Sequence, residues 1–149
     1  MKKLMICIDL TDYSLDVFRK ALKDWDWGAY SEVHFVHAFR KKVFADNFYF
    51  TTFPHKEEEM DIMKSVEDVL ANSASQIIPK DHNLKRVYKC LMTLAPKEEI
   101  KDYAKKNEID MMLIGTKEKN GIEGFFASSF AEYMVSHAHC ALTIVRQQP

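Results

Sequence analysis

Residues Asp110–Ser129, DMMLIGTKEKNGIEGFFASS, decide how the chain folds. Met111, Met112, Leu113 and Ile114 form an apolar run with no polar alternation, the pattern of a parallel strand covered on both faces. The run stops at Gly115, and three of the chain's four glycines (Gly115, Gly121 and Gly124) fall within this short stretch. Glycine permits positive φ and the close approach of another group to the main chain. A strand, a glycine-rich loop and a helix in that order is therefore a common way to aim backbone amides at a phosphate. Ser128 and Ser129 are expected to N-cap the helix that follows, which is read as running from about Ser129 to His137.

The same alternation of strand and helix extends outward in both directions. Leu4 to Ile8 is a continuous apolar strand ending at Asp9. Thr11, Asp12 and Ser14 then offer capping chemistry to a helix whose Leu15, Phe18, Leu22 and Trp25 keep helical spacing. Val33 to Phe39 reads as the second strand. A helix follows with the stripe Met60, Met63, Val66, Leu70, Ala74 and Ile77, ended by Pro79. Leu84 to Met92 is the third strand. Pro96 opens the next helix, with Glu98 and Glu99 in its first turn and Lys105 and Lys106 in its last, so both ends of its dipole are complemented. Ala141 to Val145 is the fifth strand. Strands joined by helices indicate right-handed crossovers, hence an α/β fold: a doubly wound, five-stranded parallel sheet with helices on both faces.

Composition bounds what such a chain does. Its 149 residues, 47% of them hydrophobic, suit one domain with one substantial core, so residues 1–149 are read as a single domain. With 21 basic and 22 acidic residues the net charge is −1, and no global field draws in nucleic acid or a membrane surface; neither is expected as a partner. No apolar run approaches the roughly 20 residues needed to span a bilayer, and MKKLMICIDL is too short in its apolar part, and too quickly acidic, for a signal peptide. A cytoplasmic location is expected. Cys7, Cys90 and Cys140 each lie in or beside a strand-like run and read as buried free thiols.

The C-terminal third resembles the signature of the universal stress protein family, in which a nucleotide loop reads G-x-x-G, nine residues, then G-[ST]. Laid on without a gap, Gly115 matches the first glycine, Glu118 replaces the second, Ser128 replaces the third, and Ser129 matches the final hydroxyl residue. Gly121, Gly124, Phe130, Glu132, Met134, His137, Ala138, Cys140 and Val145–Arg146 also resemble the family, so the register is right and the ATP motif is degraded. The resemblance implies a Rossmann-like fold of the adenine nucleotide alpha hydrolase kind, with strand order 3-2-1-4-5. Lys85, Arg86 and Lys89 on the third strand agree, since charge suits an edge.

That order leaves Ala141, Leu142, Thr143, Ile144 and Val145 as a bare apolar edge, and a two-fold homodimer through it is expected. It also puts the ligand crevice between the first and fourth strands, where strand order reverses. In family members that bind ATP, the resemblance implies, the residue matching Asp9 faces the adenosine, backbone at Val36 or His37 meets adenine, and the glycine loop holds the phosphates. The nucleotide-binding candidates are Asp9, Thr11, Val36, His37, Gly115, Thr116, Gly121, Ser128 and Ser129. Glu118 opposes phosphate: about 4 Å from one phosphate charge it costs roughly 1 kcal/mol in water and about 4 kcal/mol at a surface-like dielectric. The expectation is a dimeric regulatory or binding module of the stress response with no resident cofactor; the alternative is an ATP- or AMP-binding sensor.

Other groupings give less. His137-Ala-His139-Cys140 has zinc-type residues, but positions i and i+2 point apart, so no metal site is expected. His34 and His37 face opposite sides of the sheet. Asp9 and Asp12 hint at a phospho-accepting receiver, yet the ends Leu91-Met92-Thr93 and Val145-Arg146 lack the aspartate and lysine that chemistry needs. No nucleophile has an identifiable base, so catalysis is not expected. The connection Phe44 to Phe53, aromatic and without clear period, reads either as packed onto its own sheet or as a surface for a protein partner.

Overall fold

The computed structural model describes residues 1–116 and 125–146. Its elements in chain order are β1 (Lys2–Cys7), α1 (Asp12–Ala21), β2 (Tyr30–Arg40), β3 (Lys42–Ala45), β4 (Phe50–Phe53), α2 (Lys56–Ile77), β5 (Lys85–Thr93), α3 (Pro96–Lys106), β6 (Met111–Thr116), α4 (Phe125–His137) and β7 (Ala141–Arg146). Five strands form one parallel sheet in the order β5-β2-β1-β6-β7, which is 3-2-1-4-5 when only these strands are counted.

The unalternating strands are unalternating because the sheet is covered twice. On one face Leu4, Ile6, Phe35 and Leu113 pack against Phe18 of α1 and Leu70 of α2. On the other, Met5, Val36, Met112 and Ile114 pack against Ile100 of α3 and Met134 of α4. Neighbouring residues of β6 thus enter different cores, and at roughly 25 cal/mol per Å² both layers contribute.

The edges match their composition. β5 carries Lys85, Arg86 and Lys89 at one side of the sheet, and β7 closes the other with Ile144 exposed. At the strands' starting end one aspartate ties three strands: Asp110 N–H donates to the Lys3 carbonyl (3.0 Å), Lys3 N–H donates to Asp110 Oδ2 (2.8 Å), and Ala141 N–H donates to the Asp110 carbonyl (3.1 Å).

Two sequence expectations are corrected. α4 begins at Phe125, so Ser128 and Ser129 lie inside the helix and do not cap it. Phe125, Phe126 and Ala127 contain no helix breaker, and nothing in them defers the start to the serines. The aromatic connection contains a separate antiparallel hairpin, β3 with β4, and does not pack onto the sheet: every residue of both strands is exposed. The thiols are free; Cys90 is buried, Cys7 and Cys140 half-buried. Burial, with the nearby Glu67 charge, pushes the Cys90 thiol up to about 11, so it stays protonated at neutral pH.

Candidate functional site

β1 gives way to α1 through Ile8–Thr11, and the backbone of Ile8, where this short turn begins, is held through both its N–H and its carbonyl. Ile8 N–H donates to the Val36 carbonyl (3.3 Å), while His37 Nδ1 donates to the Ile8 carbonyl (3.1 Å). A carbonyl only accepts, so Nδ1 carries the proton and Nε2 keeps a lone pair. Burial holds the His37 imidazole below its ordinary pKa, against the opposing pull of the Ile8 carbonyl and Asp9. The ring is neutral at neutral pH.

Asp9 is fixed by the residue that caps α1. Thr11 donates to Asp9 Oδ1 through its backbone N–H (2.9 Å) and through its hydroxyl, and Thr11 Oγ1 accepts from Ser14 N–H (3.1 Å). The capping hydroxyl therefore orients the carboxylate as well as the helix.

These groups line a crevice at the carboxyl ends of β1, β2 and β6, the point where strand order reverses. Of the nucleotide-binding candidates, Asp9, Val36, His37 and Gly115 line it. Ser14, Ala38, Pro96, Ile100 and Phe130 also line it, beside Cys7, Ile8 and Ile114, and were not anticipated there. Pro96 carried the one usable signal, since it opens a helix directly after a strand's end. Among the described lining residues Asp9 bears the formal charge, and no lysine or arginine faces it.

The other candidates divide. Thr11 serves through Asp9; Thr116 ends β6 opposite Arg146 on β7; Ser128 and Ser129 belong to α4. Gly121 lies outside the described residues, as does Glu118. Gly115 has a local reason to be glycine: a Cβ there would meet Phe18 Cε2 at 3.1 Å, tighter than ordinary packing. The group that approaches its backbone within the described chain is an aromatic ring of α1.

His34, on the opposite face, is a satisfied core residue. It donates from Nε2 to Glu32 Oε1 (2.6 Å) and accepts at Nδ1 from the Tyr103 hydroxyl (2.8 Å), while Lys85 Nζ donates to Glu32 Oε2 (3.1 Å). Burial lowers its pKa against the pull of Glu32. Burial, reinforced by the Glu32 charge, pushes the Tyr103 hydroxyl up to about 12. At the far end of α4, His137 donates from Nδ1 to the Tyr133 carbonyl (2.8 Å) and stacks on the Tyr133 ring.

The universal stress protein family model matches residues 1–146, nearly the whole chain. The chain belongs to the universal stress protein family. Universal stress protein MJ0531 of Methanocaldococcus jannaschii is similar at 24% identity, covering 98% of this chain and 82% of that relative. Among solved structures, that of hypothetical protein MJ0577 superposes with a TM-score of 0.67 at 13% identity, covering 99% of this chain and 97% of that one. A universal stress protein solved in complex with cAMP superposes with a TM-score of 0.57 at 13% identity, covering 99% and 98%. At these identities the two structures speak for the fold.

Proposed function

We infer that this universal stress protein is a cytoplasmic, dimeric regulatory module that acts through surfaces and not through turnover, and that it holds ATP weakly. The observation that carries the reading is the lack of a cation: among the described residues lining the crevice no lysine or arginine stands ready for a triphosphate. Glu118, where the family loop has glycine, adds a like charge, which about 4 Å from phosphate costs roughly 1 to 4 kcal/mol depending on solvent screening. Gly115, explained by Phe18, is no evidence for a phosphate grip. The dimer is expected at β7, which pairs with β6 on one side and leaves its other row of backbone groups open.

A second reading, an ATP- or AMP-binding sensor, is favoured by the convergence of Asp9, Val36, His37 and Gly115 at the switch point, and by the cAMP complex of a structural relative. Thermal unfolding with excess ATP and Mg²⁺ separates the two. Ligand at 100 times its Kd stabilises by about 2.7 kcal/mol, a midpoint shift of about 5 to 10 °C for a domain of this size. The parent is expected to show no such shift, and the double variant Glu118→Gly with Ser128→Gly, which restores the family loop, is expected to show it. A full shift in the parent overturns the first reading; equal behaviour of parent and variant shows that these two residues do not govern the site.

A further inference from the structure

The β3–β4 hairpin stands apart from both cores and has two apolar faces. Residues paired across an antiparallel ladder share a face, so the register Lys42↔Phe53, Val43↔Thr52, Phe44↔Thr51 and Ala45↔Phe50 puts Phe44 and Phe53 on one side, Val43 and Phe50 on the other. Phe48 is 87% exposed and Phe50 84%. A two-stranded hairpin alone is marginal in water, and a third strand or a packed face is what normally stabilises it.

We propose that the hairpin is a self-association site, at which β3 pairs antiparallel with β3 of a second copy about a two-fold axis through Phe44. This builds on the reading of the chain as a surface-acting module and adds an interface separate from β7. The free edge sets the register. Asp46 and Tyr49 exchange both backbone hydrogen bonds (2.8 and 3.4 Å), so along β3 the alternate residues 42, 44 and 46 turn their backbone groups toward β4. The outward N–H and C=O groups then belong to Val43 and Ala45.

A two-fold axis at Phe44 sets Val43 opposite the second copy's Ala45 twice, the hydrogen-bonded pairs, and sets Phe44 opposite Phe44. It also sets Lys42 opposite the second copy's Asp46 at both ends. These last are non-hydrogen-bonded positions, where side chains stand closest. Lys42 and Asp46 are both exposed, and among the described residues neither forms a salt bridge within its own chain. Their neighbour Lys41 is already taken by Glu59. The β4 edge, Phe50–Phe53, carries no charge with which to choose a register.

The test uses the full chain carrying Ile144→Lys, which blocks the β7 edge, in sedimentation. With both interfaces in place the parent is expected to assemble beyond a dimer, and the Ile144→Lys protein to be a dimer held by the hairpin. Lys42→Glu is expected to weaken its dimer about tenfold or more, and Lys42→Glu with Asp46→Lys to restore it. Phe44→Cys is expected to give an oxidised covalent dimer, absent in the parent and in Phe48→Cys, whose side chain lies away from the axis. Cross-linking at neither site, or equally at both, overturns the proposal. If Ile144→Lys alone yields monomers from a dimeric parent, the hairpin interface falls while the module reading stands. A parent that is itself monomeric overturns both.

Discussion

The crevice and the hairpin both grow out of the last residues of β2, yet they treat apolar side chains in opposite ways. In the crevice Val36, Ile100 and Phe130 are buried against other elements of the same chain, and the polar groups among them are tied to backbone partners. In the hairpin Phe44, Phe48 and Phe50 have no such cover. The first region is specified by its own chain; the second is specified only if something outside the chain completes it.

The largest expected effect sets the two regions against each other. Phe18→Ala, under Gly115, removes a fully buried ring and is expected to cost about 3 to 5 kcal/mol in denaturant unfolding. Adding bulk at the same contact is milder: Gly115→Val forces Phe18 to shift and is expected to cost about 1 to 3 kcal/mol. Phe18→Leu should relieve part of that, with a coupling of at least about 0.5 kcal/mol in a double-mutant cycle. Strict additivity would mean that Gly115 is glycine for some other reason.

Acid should act on the core side and leave the hairpin aside. His34 and His37 both titrate below the ordinary histidine value in the folded chain, burial being the main cause in each. On acidification the unfolded chain takes up these protons first. Their stabilising contribution is therefore complete above the unfolded histidine value and is lost as pH falls through the lowered folded values, with a slope of at most about 1.4 kcal/mol per pH unit per histidine. Unfolding followed from pH 7.5 to 5 should show the decline, and His37→Gln should flatten it.

The smallest effect belongs to the hairpin tip. Phe48→Ser is expected to change the stability of dilute protein by less than about 0.5 kcal/mol. A loss comparable to that of Phe18→Ala would show that the tip packs on its own chain after all.

The same contrast explains what could be read from the sequence. Strands covered on both faces appear as unbroken apolar runs, so Leu4–Ile8 and Met111–Ile114 announced the sheet; the crevice between the first and fourth strands followed from the strand order that the family resemblance implies. Pro96, Ile100 and Phe130 reach the crevice from helices by tertiary packing, which no local spacing reveals. The hairpin was opaque because both its faces carry phenylalanine, which erases the alternation of a half-buried strand, and because its turn, Asn47-Phe48, lacks the glycine that usually marks one. The start of α4 was misplaced because serine is a good cap yet also sits tolerably inside a helix.

The Asp110 hydrogen bonds have a consequence for how this chain can change. They lock the relative registers of β1, β6 and β7 at the end of the sheet opposite the crevice. Residues that line the crevice, Asp9 and Gly115 among them, sit at the other end of the same strands, so exchanging them leaves this anchor in place.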